Sequence, residues 1–276
     1  GNVWRGGYEY KINQIIGFSH IHSWTMGGLL TMPVTGPLKI KPGEENEPDS
    51  GYRSRINHKN EKASLSYYSV LLDDYNIKAE LTSTTRTGFQ RYTFPKSDSS
   101  RILFDLENGS EYPYEVRWAS ISKVSDYEIE GFSTQSSYDE PTNLLNDYTV
   151  YFVARVDKPM KSFGTWVNGY VDTTSSICWG RHDIGAFMNF DMEEGEIIQL
   201  KTAISYVSIE QARKNLEVES GGFGWNFDAV RKYAVNEWRK ILSTIEIEGG
   251  TEEDKRKFYT NLYRSYCSRT IFSDVD

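Results

Sequence analysis

The chain has no long apolar run, no basic stripe and almost no cysteine. A helix that crosses a bilayer needs ~20 consecutive apolar residues, so no membrane span is expected. Lys and Arg number 31 against 39 Asp and Glu. A net charge of −8 gives phosphates no basic footing, which argues against nucleic acid as a partner. Cys178 and Cys267 lie far apart and form neither a metal pattern nor a disulfide framework. Two buried free thiols are expected, and the compartment stays open. No Met stands at position 1 and no signal segment opens the chain. Any targeting segment is therefore expected to have been removed or to lie outside it.

Aromatic rings are what the chain has in excess: 19 Tyr, 13 Phe and 7 Trp. Most are expected to fill the core of a single large β-structure. From 67 to 206 the pattern is that of strands. Ile77, Ala79 and Leu81 alternate with Lys78, Glu80 and Thr82, the period of a half-buried strand. Further β-rich runs span 88–94, 101–106, 148–156, 184–190 and 197–206, with turn signals at Asn108-Gly109, Asn168-Gly169 and Glu194-Gly195. Many closely spaced strands without intervening helices predict an antiparallel sandwich. The acidic stretch 41–51 is expected to be a surface loop.

The pattern changes at Ser208. Ser208 and Gln211 form a capping box that opens a helix over 208–219. Phe227, Val230, Ala234, Trp238, Ile241 and Ile245 then recur at steps of three and four, predicting a helix over 227–243 with one apolar face. Residues 245–248 alternate like a short strand. Thr251 and Asp254 cap a third helix over 252–268, with Phe258, Leu262 and Tyr266 on its core side.

Near the start, Trp4-Arg5-Gly6-Gly7-Tyr8-Glu9-Tyr10 leads to His20-Ile21-His22-Ser23-Trp24. Clustered aromatics, imidazoles and glycines suit a flat, polyhydroxylated ligand. His20 and His22 face one side of an extended segment, but no third ligand at metal spacing follows, so no metal site is assigned. At the other end, Asp274 and Asp276 flank Val275 and point to one side. No two carboxylates in the chain present themselves as an acid–base pair, so no catalytic residue is assigned.

These two ends, with Arg53-Ser54-Arg55-Ile56-Asn57-His58 and Gln211-Ala212-Arg213-Lys214-Asn215-Leu216, resemble glycoside hydrolase family 92. Its members are calcium-dependent, inverting exo-α-mannosidases. The likeness runs over essentially the whole chain, which corresponds to the front part of such an enzyme. It implies a mainly β fold: a galactose-mutarotase-like antiparallel β-sandwich over 1–207, linker helices over 208–250, and over 251–276 the first helix of a truncated (α/α)6 barrel. It places the acid, the base and most calcium ligands in the missing C-terminal barrel, the expected partner domain. It implies a mannose-containing glycan as substrate and a periplasmic or secreted location in a bacterium. On residue type alone Trp4 packs a core; the resemblance makes it a contact to the sugar. By the same resemblance Asp274 and Asp276 enter the active site, and His20 and His22 meet sugar hydroxyls or the barrel. Relatives continue after His-x-His with Leu-Ser-Gly-Thr-Gly, whereas this chain has Ser23-Trp24-Thr25-Met26-Gly27-Gly28. A bulky Trp24 there would reshape the leaving-group site and with it the linkage specificity. A second reading stays open: a free-standing carbohydrate-binding sandwich that uses the Trp4–Trp24 cluster without catalysis.

Overall fold

A computed structural model describes residues 10–21, 29–107, 114–139, 144–267 and 271–276. In chain order the strands are β1 (Gln14–Ile15), β2 (Phe18–Ser19), β3 (Leu30–Val34), β4 (Ser54–Arg55), β5 (Lys62–Ser64), β6 (Tyr67–Leu72), β7 (Ile77–Ser83), β8 (Thr87–Thr93) and β9 (Ser97–Asp105). They continue as β10 (Tyr114–Ser125), β11 (Glu128–Asp139), β12 (Leu144–Val156), β13 (Ser162–Val167), β14 (Tyr170–Asp172), β15 (Ile177–Gly180), β16 (Ile184–Met192) and β17 (Ile197–Ser205). Three helices follow: α1 (Ile209–Ser220), α2 (Phe227–Leu242) and α3 (Glu252–Cys267).

The strands build a nine-stranded sheet, in the order β15-β10-β11-β12-β17-β8-β7-β6-β5, a six-stranded sheet, β14-β13-β16-β9-β3-β2, and a two-stranded one, β1-β4. The pairings among the described residues are antiparallel. Between the nine- and six-stranded sheets lies one core, to which the larger sends Tyr92, Ile121 and Phe152 and the smaller Ile102, Phe104 and Trp166. Many of the rings are therefore structural, as the composition suggests. At Asn168-Gly169 both residues have positive φ, 51° and 79°, the conformation a tight hairpin between β13 and β14 demands. Cys178 is a buried free thiol, and burial pushes its pKa up to about 11. The side chain of Cys267 lies outside the described residues.

The outer face of the large sheet carries α1 and α2, and α3 follows against α2. Ser208 caps α1 as its sequence predicts, its Oγ accepting from the Gln211 N–H at 3.2 Å. Ala212 and Leu216 on α1 bury themselves on Val153 and Ala203. The Arg213 guanidinium donates to Glu128 and Glu130, and Arg155 shares Glu128. The first half of α2 packs Phe227 and Val230 on Phe89, while Arg91 covers the Phe227 ring at 4.3 Å.

One expectation needs correction. Residues 245–248 form no strand: no neighbour pairs with them, Ile245 is exposed, and its carbonyl instead accepts from the Tyr259 hydroxyl at 3.1 Å. On α3, Phe258, Leu262 and Tyr266 are half-buried, and Tyr263 makes a ring contact 4.7 Å from Trp238. The apolar stripe of α2 splits accordingly, its first half meeting the sheet and Trp238 turning to α3. No described helix is long and apolar enough to cross a membrane.

Candidate functional site

At one end of the sandwich, around the hairpin joining β7 to β8, lies a cavity of about 490 Å³. Its wall includes His20, Arg86, Thr87, Gln90, Thr202 and, from α3, Tyr263. Three of the wall residues, Ser66, Thr87 and Thr202, have hydroxyls that are buried without a hydrogen-bond partner among the described residues.

His20 follows β2 and is held at both ring nitrogens. Nδ1 lies 3.2 Å from the Leu29 carbonyl, which only accepts, so Nδ1 carries the proton. Nε2 then accepts from the Gln90 amide at 3.1 Å, and Gln90 Oε1 accepts in turn from Thr31 Oγ1 at 3.0 Å and from the Tyr92 hydroxyl. Burial drives the imidazole pKa down to about 4, with the Leu29 carbonyl opposing it. The ring is therefore neutral at pH 7, and its carbon edge faces Gly88, where a Cβ would sit 3.1 Å from Cδ2. His20 serves here as a fixed wall rather than a free hydrogen-bonding arm.

Residues 271–276 run back across the sandwich to the rim of this cavity. Arg86 is on the cavity wall, and its Nε donates to the Ser273 carbonyl at 2.6 Å while Nη2 donates to the Asp274 carbonyl at 3.1 Å. Glu219, at the end of α1, holds Arg86 through Nη1 at 2.8 Å and its backbone N–H at 2.8 Å. The Asp274 carboxylate accepts from Ser205 Oγ at 3.0 Å and from Asn215 Nδ2 at 2.7 Å. Asp276 pairs with Lys214. Calcium, which takes about six to eight oxygen ligands, has no cage here. Among the described residues no three of His, Cys, Asp or Glu converge.

Of the residues singled out by sequence, the structure brings His20 and Asp274 to one end of the sandwich, linked through the Arg86 hairpin. Asp276 lies against α1, paired with Lys214. Trp4, His22 and Trp24 lie outside the described residues. Sequence reasoning missed Arg86, Gln90, Ser205, Asn215 and Glu219. Asn215 carries a readable signal, because it interrupts the apolar face formed by Ala212 and Leu216.

Comparison with known proteins accounts for the architecture. Residues 1–205 match the glycosyl hydrolase family 92 N-terminal domain, and residues 211–276 match the family's catalytic domain. A family GH92 α-mannosidase from Bacteroides thetaiotaomicron, also solved with mannoimidazole, is 32% identical over 98% of the chain with a TM-score of 0.87. A family GH92 inverting mannosidase from the same species shares the fold at 24% identity over 95% of the chain, with a TM-score of 0.73. An uncharacterized secreted glycosidase of Arthroderma benhamiae is 23% identical over 95% of the chain. The chain spans 36% of the length of the first of these structures, 33% of the second and 36% of the fungal protein. A sandwich and helices of this order, matched over 205 residues by one family model and beyond them by its companion, show that the chain belongs to glycosyl hydrolase family 92.

Proposed function

We propose that the chain is the front part of an inverting, calcium-dependent exo-α-mannosidase that acts on mannose-containing glycans in the periplasm or outside the cell. The observation that carries this reading is the seating of Ser273 and Asp274 at the rim of the His20 cavity, through Arg86. In this reading residues 1–207 form the sandwich, 208–250 the linker, and 251–276 the start of the barrel. The relative solved with mannoimidazole supports the choice of sugar, and the secreted relative supports the location. Trp4, His20, His22 and Trp24 form the wall of the sugar site, His20 as the rigid element behind it. Asp274 and Asp276 offer carboxylate oxygens to hydroxyls of the terminal mannose.

An inverting glycosidase needs acid and base carboxyls roughly 6.5–9.5 Å apart with a water between them. We assign that pair, and the calcium ligands, to the barrel. The 276-residue chain alone is then inactive, whereas the full-length protein releases mannose from α-mannosides and loses that activity with a calcium chelator. Proton NMR of the first-formed sugar should show inversion at the anomeric carbon. Retention, or chelator-insensitive hydrolysis by the chain alone, would overturn the reading. The alternative, a binding module without catalysis, requires that the full-length protein bind mannosides and hydrolyse none.

A further inference from the structure

Asn215 is fully buried in the middle of α1, between Ala212 and Leu216, where an apolar residue would ordinarily sit. Its amide is almost completely used. Nδ2 donates to the Ile204 carbonyl at 2.9 Å and to Asp274 Oδ1 at 2.7 Å, while Oδ1 accepts from the Val275 N–H at 3.1 Å. Two of these three bonds go to residues 59 and 60 positions further along the chain. They close a ring about Asp274, because the same side chain grips the carboxylate and the next peptide N–H. Only an amide offers a donor and an acceptor at that spacing; Leu would fill the volume and Asp would repel the carboxylate.

The second grip acts on the other side of the same segment. The Arg86 guanidinium is planar and forked. It faces Glu219 with one nitrogen and the Ser273 and Asp274 carbonyls with the other two. Glu219 Oε2 also accepts from Thr84 Oγ1 at 2.5 Å, so the β7–β8 hairpin, the end of α1 and residues 273–274 share one network. With its backbone held by Arg86 and its carboxylate by Asn215 and Ser205, Asp274 has neither a free backbone nor a free rotamer. Each carboxylate oxygen has a second acceptor position.

We propose that Asn215 and Arg86 are positioning residues that latch residues 273–275 to the sandwich, so that Asp274 meets the substrate in one fixed orientation. The value of such a latch is orientation: a carboxylate that must hold a sugar hydroxyl gains when its own freedom is removed beforehand. The proposal rests on the mannosidase reading for the identity of the substrate, and on these contacts alone for the latch.

The test uses the full-length protein, an aryl α-mannoside and hydrogen exchange. Asn215→Ala should raise KM about tenfold or more with a smaller change in kcat, as expected when substrate binding rather than chemistry is impaired. Asn215→Asp sets a second carboxylate against Asp274, and the pair will share a proton. The acidic limb of the kcat/KM profile should therefore move to higher pH. Arg86→Lys should retain more activity than Arg86→Ala. If Asn215 variants fail to fold, Ser205→Ala removes a single bond to the Asp274 carboxylate, together with a local one from the Val207 N–H, and should still raise KM. An Asn215→Asp protein with wild-type KM and pH profile would overturn the proposal, as would equal activity of the two Arg86 variants. Exchange at the Val275 amide separates the latch from the substrate. It should be protected in the wild type and released in Asn215→Ala while α1 stays protected. A Val275 amide exchanging freely in the wild type sinks the latch, whereas a protected one in a protein inactive on mannosides sinks only the proposed activity.

Discussion

Helices α1 and α3 open with the same grammar and end in different circumstances. Ser208 and Gln211 cap the first; Thr251 and Asp254 cap the third reciprocally, with the Thr251 hydroxyl at 2.7 Å from Asp254 Oδ2 and the Asp254 N–H at 3.1 Å from Thr251 Oγ1. Beyond the cap the two diverge. The inward face of α1 is buried on β12 and β17, polar Asn215 included. That of α3 leaves Phe258, Leu262 and Tyr266 half-exposed, with one ring contact to Trp238. A helix is written in local sequence, but what makes it cooperative with the rest is a surface elsewhere in the chain. The burial pattern assigns α1 to the sandwich. It leaves α3 as a helix whose apolar side is covered only in part, through Tyr263 against Trp238.

The sharpest way to break this contrast is to truncate one leucine on each helix. Leu216→Ala removes a fully buried side chain and should cost about 2–5 kcal/mol, whereas Leu262→Ala should cost below about 1 kcal/mol. Urea unfolding of both variants measures the two numbers, and equal losses would erase the distinction.

A second test comes from the sandwich side alone. His20 titrates at about 4 when folded against 6.5 when free, so the unfolded chain takes up its proton first. The stabilisation is complete above pH 6.5 and is lost as pH falls toward 4, amounting to about 3 kcal/mol at most. Unfolding midpoints measured between pH 7 and pH 4 should fall accordingly. The dependence should flatten in His20→Gln. Melting of α3 followed by its own amides should not share this pH dependence.

The smallest effect concerns the caps. Ser208→Ala should destabilise the whole fold by about 1 kcal/mol, because α1 unfolds only with the sandwich. Thr251→Ala removes an equivalent cap, but its effect should stay local, seen as faster amide exchange in α3 with little change in the global midpoint. A global loss as large as that of Ser208→Ala would show that α3 is coupled to the sandwich after all.

Much of the fold was legible because its signals are local. Ile77, Ala79 and Leu81 alternate, Asn168-Gly169 can hardly be anything but a turn, and Ser208 announces a helix. Where the reading failed, the deciding partner was remote. Residues 245–248 alternate as a strand does, but no edge lies beside them to pair with. Tyr263 was not singled out, and it meets Trp238 because the approach of α2 chooses the face. Of the candidate site, the Ser273–Asp276 segment stood out by its resemblance to the family. Its anchors did not, since Arg86 lies 187 positions from Ser273 and no spacing rule connects them. His20 was noticed for its ring nitrogens, and the fold spends both of them on Leu29 and Gln90.

The buried amide of Asn215 also sets an order of events during synthesis. Its acceptor on Asp274 is 59 residues downstream, which at about 5–20 residues per second is made roughly 3–12 s later. Through that interval α1 can rest on the sheet only with the Asn215 amide bonded to the Ile204 carbonyl alone, or else remain undocked. The sandwich is therefore closed last from outside its own strands, by residues that the ribosome delivers after α2 and α3. A ribosome pausing between 220 and 270 would prolong the one stage at which Val153 and Ala203 lack a settled cover.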